Sequence, residues 1–182
     1  MHLDPVYSLV IRLGFALLFS DALVHKLVNW SAFKATLDKY LMGIGAIPAS
    51  LATPIAAFVV ASETCVVALC VRSSSGALIT SVLVCVLLLY GTAMLVNLVR
   101  GNVLLDCGCS WGATRQPIHS ALVARNAGLA LVAVPLVLPI DSRSLGPMDV
   151  VTLCAAVLTV AILYAALNQL LTNSIPKVRE VE

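Results

Sequence analysis

The chain has 182 residues, 60% hydrophobic and 11% charged, with a formal net charge of +2. Soluble domains are about 45–50% apolar and about 25% charged, so this composition excludes an ordinary soluble fold and points to the membrane class. The charge is small and there is no basic tract or aromatic stacking pattern, so nothing suggests nucleic-acid binding.

A membrane helix needs roughly 20 mostly apolar residues. Five segments have that length, at about 6–28, 51–71, 77–99, 117–140 and 149–171. The expected fold is all-α: one bundle of five transmembrane helices in a single membrane domain spanning 1–182, ending in a polar tail at 172–182. Asp4 can cap the first helix, and Pro5 suits its first position, where the N–H has no partner anyway. Met1-His2-Leu3-Asp4 lacks a basic n-region, so the first span is expected to be retained rather than cleaved as a signal peptide. Between the first two spans, Trp30, Phe33, Leu37, Tyr40 and Leu41 recur at helical spacing, which predicts an amphipathic helix lying at the interface. Pro54 falls in the first turn of the second span and Pro117 at the start of the fourth.

Five spans put the two termini on opposite sides; the N-terminal side is called side A and the other side B. Arg72 and Arg143 lie on side A, whereas Lys26, Lys34, Lys39, Arg100, Arg115, Lys177 and Arg179 lie on side B. Basic residues in short loops mark the cytoplasmic face. The charge rule therefore places the N-terminus outside and the C-terminus inside, as expected of a multi-pass protein of a bacterial inner membrane.

Ionisable groups within spans are costly unless paired, and are functional candidates by default. Arg12 and Glu63 each lie some way below side A, which predicts a structural ion pair between them. Asp21 and Arg125 lie nearer side B and form a second possible pair, with His25 four residues after Asp21 on the same helix face. Together with Asn97 and Asn126 they predict a polar pocket for substrate or protons on side B.

Six cysteines in a short chain would suggest a disulfide framework, but Cys65, Cys70, Cys85 and Cys154 lie within apolar runs. They read as small hydrophobes, or alternatively as a second redox centre. Only Cys107 and Cys109 occupy a polar loop, in Asp106-Cys107-Gly108-Cys109-Ser110-Trp111-Gly112. A disulfide needs Cα atoms about 4.4–6.8 Å apart, which a Cys-x-Cys pair reaches only through a bent backbone, and Gly108 allows the bend. Such a tight ring suits a labile, electron-exchanging pair better than a structural staple. Arg115 and His119 are local cations that favour the thiolate, and Asp106 can take a proton during exchange. The expected catalytic set is thus Cys107, Cys109, His119, Arg115 and Asp106. A soft-metal site of the copper type, for binding or transport, is the alternative, and a structural subunit that docks a partner is the third reading. No metal site is assigned. No residue requires a cofactor, although a quinone is a candidate electron sink. The oligomeric state is open.

Arg12 near the start of the first span and Lys26 at its end, Glu63 in the second, and Cys107-Gly108-Cys109 after the third resemble the methylamine utilisation protein MauE family, within the broader DoxX-like membrane proteins. The family's Cys-Gly-Cys-Phe-Gly becomes Cys107-Gly108-Cys109-Ser110-Trp111-Gly112 here, with the aromatic residue displaced by one position. The resemblance covers nearly the whole chain. It implies a role in maturing the disulfide-rich small subunit of methylamine dehydrogenase, with Cys107 and Cys109 exchanging disulfides with a thioredoxin-like partner, MauD, and through it a disulfide-containing client. That maturation is periplasmic, so the resemblance and the charge rule place side B on opposite faces of the membrane.

Overall fold

A computed structural model describes residues 2–45, 48–73, 75–102, 105 and 118–173. Six α-helices carry the fold: α1 (Pro5–Val28), α2 (Trp30–Ile44), α3 (Ala52–Arg72), α4 (Gly76–Val99), α5 (Ser120–Ala133) and α6 (Pro147–Asn173). Five of these segments are long and apolar enough to cross a membrane: α1, α3, α4, α6, and α5 with its 3₁₀ extension to Val137. The all-α, five-span reading therefore holds, and no strand forms among the described residues.

The ends of these helices follow from particular residues. Asp4 caps α1, its side chain accepting from the Val6 amide at 2.8 Å, with Pro5 in the first turn. Ser75 caps α4 through the Leu78 amide. In the fourth span, Pro135 has no N–H to offer the Leu131 carbonyl. Val134 N–H takes that carbonyl instead, and the chain tightens into a 3₁₀ turn over Val134–Val137. This span also starts later than its apolar run suggests. Ile118 and His119 are non-helical, so Pro117, which lies outside the described residues, does not begin the helix.

The core lies between α1, α3, α4 and the fourth span, around Ile11, Phe15, Phe19, Val66, Ile79, Leu83, Leu87 and Leu136. On α1 the inward residues Ile11, Phe15, Phe19 and Lys26 follow helical spacing, and on α3 Ala56, Val59, Glu63, Val66 and Cys70 do the same. The α4 N-terminus comes close to the 3₁₀ turn, so a methyl group at Gly76 would collide with the Leu136 carbonyl. Helix α2 has the expected inward stripe: Leu41 is buried, and Trp30, Phe33, Leu37 and Tyr40 are half-buried. Its C-terminal end docks on α4, where a methyl at Gly43 would collide with the side chain of Asn97.

Helix α6 differs from the others. No residue in its most apolar window is buried. It packs chiefly along α1, where a methyl on Gly14 would meet Val160 Cγ1 at 4.0 Å. On side A the ends are stitched together. Leu3 N–H donates to the Pro139 carbonyl at 2.8 Å, and Asp141 N–H donates to the Leu3 carbonyl at 2.9 Å. Arg143 then bridges Asp4 and Asp149 through hydrogen bonds of 2.8–3.2 Å.

Candidate functional site

The predicted Arg12–Glu63 pair does not form. Glu63 pairs with Lys26, with Nζ 2.5 Å from Oε1. The reason lies in the direction side chains lean. In a helix every Cα–Cβ bond tilts toward the N-terminus. On α1 that tilt carries Arg12 toward side A and Lys26 inward from side B. On the antiparallel α3 it carries Glu63 toward side B, to meet Lys26. Arg12 instead reaches the end of α3, donating to the carbonyls of Cys70 at 2.9 Å and Ser73 at 2.6 Å. Carbonyls in the last turn of a helix lack intrahelical partners, and a cation there is favourable.

The Lys26–Glu63 pair is fully enclosed, with side-chain exposures of 5% and 0%. Lys26 Nζ also sits 5.6 Å from the centre of the Phe33 ring and 5.7 Å from that of Tyr90, close enough for cation–π attraction. Tyr90 OH donates to the same carboxylate oxygen, Oε1, at 2.8 Å. The other oxygen, Oε2, is buried and has no hydrogen-bond partner. Such an atom costs about 1–3 kcal/mol or more.

Glu63 and Tyr90 line a cavity of about 540 Å³ between α1, α4, α5 and α6. Asp21, Arg125 and Asn126 line it too, so the structure brings together three residues of the predicted pocket. Asp21 and Arg125 share the cavity but form no ion pair; Arg125 Nη1 donates to Asn168 Oδ1 on α6 at 2.8 Å. Asn126 Nδ2 donates to the Leu122 carbonyl at 2.9 Å and lies 3.7 Å from Met94 Sδ.

The other predicted pocket members lie elsewhere. Asn97 is buried at the α2–α4 contact, donating to the Ala93 and Tyr40 carbonyls and accepting from Asn102 Nδ2 at 3.2 Å. It locks α2 to the bundle and does not line the cavity. His25 is half-buried in the last turn of α1, outside the cavity lining. His119 is the N-cap residue of α5, though its side chain makes no capping bond.

Cys107, Cys109, Asp106 and Arg115 lie outside the described residues. The base of their loop is described. Ile118 N–H donates to the Leu105 carbonyl at 2.9 Å, which joins the two described residues that flank the segment. Ile118 packs with Met94 and Leu122, both of which also contact the Asn126 side chain. The four helical cysteines are free thiols that do not share one environment: Cys70 is buried, while Cys65, Cys85 and Cys154 are exposed on the helix surfaces.

Sequence reasoning missed Lys26, which it counted as a loop charge, along with Tyr90 and Asn168. Lys26 was findable, because it continues the Phe15–Phe19 inward stripe of α1. Tyr90 likewise falls on the face of α4 that carries Leu83, Val86, Leu87, Met94 and Asn97. Asn168 had no such signal, since no inward stripe marks α6.

A family model described as methylamine utilisation protein MauE matches residues 5–139. The methylamine utilization protein MauE of Methylorubrum extorquens is 30% identical over 166 residues, covering 90% of this chain and 87% of its own. That of Paracoccus denitrificans is 27% identical over 136 residues, covering 74% and 70%. That of Paracoccus versutus is 46% identical over 44 residues, covering 24% of each chain. No solved structure matches.

Proposed function

Because the chain belongs to the MauE family, we propose that it serves methylamine utilisation from the bacterial inner membrane by thiol–disulfide exchange at Cys107 and Cys109. One observation carries this reading: the other four cysteines lie within helices α3, α4 and α6, whereas Cys107-Gly108-Cys109 sits in a polar stretch of the sequence between two apolar runs. The Cys-Gly-Cys spacing gives a strained and hence reactive disulfide. Arg115 and His119 favour the thiolate, and Asp106 handles the proton released or taken up.

In this role the pair accepts electrons from, or returns them to, a thioredoxin-like protein that in turn acts on a disulfide-containing client. The Leu105–Ile118 hydrogen bond supports the reading, because it fixes the residues that flank the Cys-Gly-Cys segment to each other. Lys and Arg in the loops favour a cytoplasmic side B, six residues to two once the buried Lys26 leaves the count.

Thiol trapping tests both points. With an impermeant maleimide, Cys107 and Cys109 should label only after reduction, and the oxidised fraction should change when the thioredoxin-like partner is deleted, rising if that partner delivers electrons to the pair and falling if it withdraws them. The charge count predicts labelling in inverted vesicles and not in spheroplasts. A pair that stays reduced throughout, and is protected only by added Cu(I) or Zn²⁺, would replace redox exchange with soft-metal handling.

A further inference from the structure

The cavity between α1, α4, α5 and α6 is lined by two carboxyl groups that are held in different ways. Glu63 is enclosed, and Lys26 and Tyr90 both donate to its Oε1. Asp21, with Arg125 and Asn126, belongs to a polar collar nearer side B. It is half-buried and takes no hydrogen bond or ion pair among the described residues. Arg125 sends its Nη1 to Asn168 instead.

Depth makes that lack of a partner matter. Helix α1 has 24 residues, so it is about 36 Å long at about 1.5 Å per residue, against about 30 Å of hydrocarbon. Asp21 stands seven residues before Val28, the last residue of α1. That is about 10 Å below the side-B end of the helix, and about 7 Å inside the hydrocarbon. Leu17 and Val24 share its face of α1 and are 53% and 58% exposed. Leu17 also lines the cavity, so Asp21 lies at the mouth where the cleft opens to lipid. A carboxylate in hydrocarbon without a donor or counter-ion is costly, and one proton removes the charge.

The titratable groups that share the cavity are Tyr7 on α1, Glu63 on α3, Tyr90 on α4, Arg125 on α5 and Tyr164 on α6. Glu63 and Arg125 act on the Asp21 charge with opposite signs. His25 follows one turn on, toward side B and on the same face. Toward side A the α1 wall is apolar through Leu18, Phe15 and Ile11. The short route from Asp21 to water therefore leads to side B. We propose that Asp21 is an intramembrane proton-binding site, which takes up a proton from side-B water and returns it there. One O–H bond forms on the carboxyl, the proton comes from hydronium, and no electron moves. Cys107 and Cys109 take no part, so the site stands or falls apart from the exchange reading.

Carbodiimide labelling of the full-length protein in nanodiscs, mapped by peptide mass spectrometry, tests the site. Dicyclohexylcarbodiimide dissolves in the bilayer and adds to protonated carboxyl groups. At neutral pH it should modify Asp21 and leave Glu63 unmodified, whereas a water-soluble carbodiimide should leave both unmodified. No Asp21 adduct in folded protein would overturn the proposal. So would equal modification of Asp21 by the two reagents, which marks a carboxyl bathed in water, or an adduct on Glu63 in its place. Infrared spectra of the same nanodiscs read the proton directly, because a protonated carboxyl has a carbonyl stretch that a carboxylate lacks. Asp21→Asn should abolish one such band, and Glu63→Gln should keep it. The opposite pattern would put the proton on Glu63 and overturn the assignment, as would a spectrum that neither variant changes. If Asp21→Asn fails to fold, the labelling of the wild-type protein decides.

Discussion

The two sides of Glu63 are built in opposite ways. Toward α1 and α4, the Lys26 ammonium and the Tyr90 hydroxyl close on Oε1 and nothing is open. Toward α6, Glu63 borders a cavity bounded by a helix whose apolar stretch has no buried residue, while its Oε2 is enclosed without a hydrogen-bond partner. A single carboxylate thus belongs to a packed core and to a cleft at once. Lipid tails are as apolar as core side chains, so helix association in membranes draws on close packing and polar contacts more than on hydrophobic burial. The α1–α3–α4 side has both. The α6 side has the polar link from Arg125 to Asn168 and close approach at Gly14. That contrast separates a scaffold from a place where something can bind.

The largest effect should come from splitting the buried pair. Glu63→Ala leaves the Lys26 charge enclosed without its partner and should destabilise by about 3–5 kcal/mol, read by denaturant unfolding in detergent. The double change Lys26→Met/Glu63→Leu should recover most of that, because well-packed apolar groups replace a buried ion pair at little cost. If the double variant stays as unstable as the single one, the pair does more than balance charge. The next test compares the two walls with the same kind of truncation. Phe19→Ala, in the packed wall at 1% exposure, should cost about 3 kcal/mol. Val160→Ala, in the cleft wall, should cost under about 0.5 kcal/mol. Equal losses would erase the distinction between core and cleft.

The smallest effect concerns the side-A clasp. Hydrogen bonds from Arg143 and then from the Val6 amide hold the Asp4 carboxyl below its ordinary value of 3.8. Asp149 and Asp4 in turn raise Arg143. A lowered carboxyl pKa stabilises the fold in full above the ordinary value and is lost as pH falls through the lower, folded one. Protection of the Leu3 and Asp141 amides, measured as exchange relative to the intrinsic rate at each pH, should therefore be constant at neutral pH and fall slightly only on acidification below about pH 4. Arg143→Gln should remove that acid dependence.

The spans were legible because 20-residue apolar runs leave few alternatives, and the cap at Asp4 was legible because its chemistry is local. The partner of Glu63 was not. Depth along a helix placed Arg12 and Glu63 at similar levels, but the tilt of the Cα–Cβ bonds sends the two side chains apart. Burial of Lys26 was written in the Phe15–Phe19 stripe and was overlooked because its position at a helix end suggested a loop. The collar was half legible. Asp21, Arg125 and Asn126 share a cavity, but Asn97 at a similar level turns toward α2, which sequence spacing alone does not reveal. Asn168 comes from a helix whose polar residue has no periodic context.

The stitch between Leu3 and residues 139–141 has one more consequence. It closes the first four spans into a ring, with the chain's beginning fastened to the end of the fourth span. The family match ends at residue 139, where that ring closes. Helix α6 is then an appended post, joined by the non-helical segment 141–146 and leaning on α1 from outside. The contacts that hold α1, α3, α4 and the fourth span together do not run through α6, so loosening α6 from α1 should open the cleft while the ring keeps its packing.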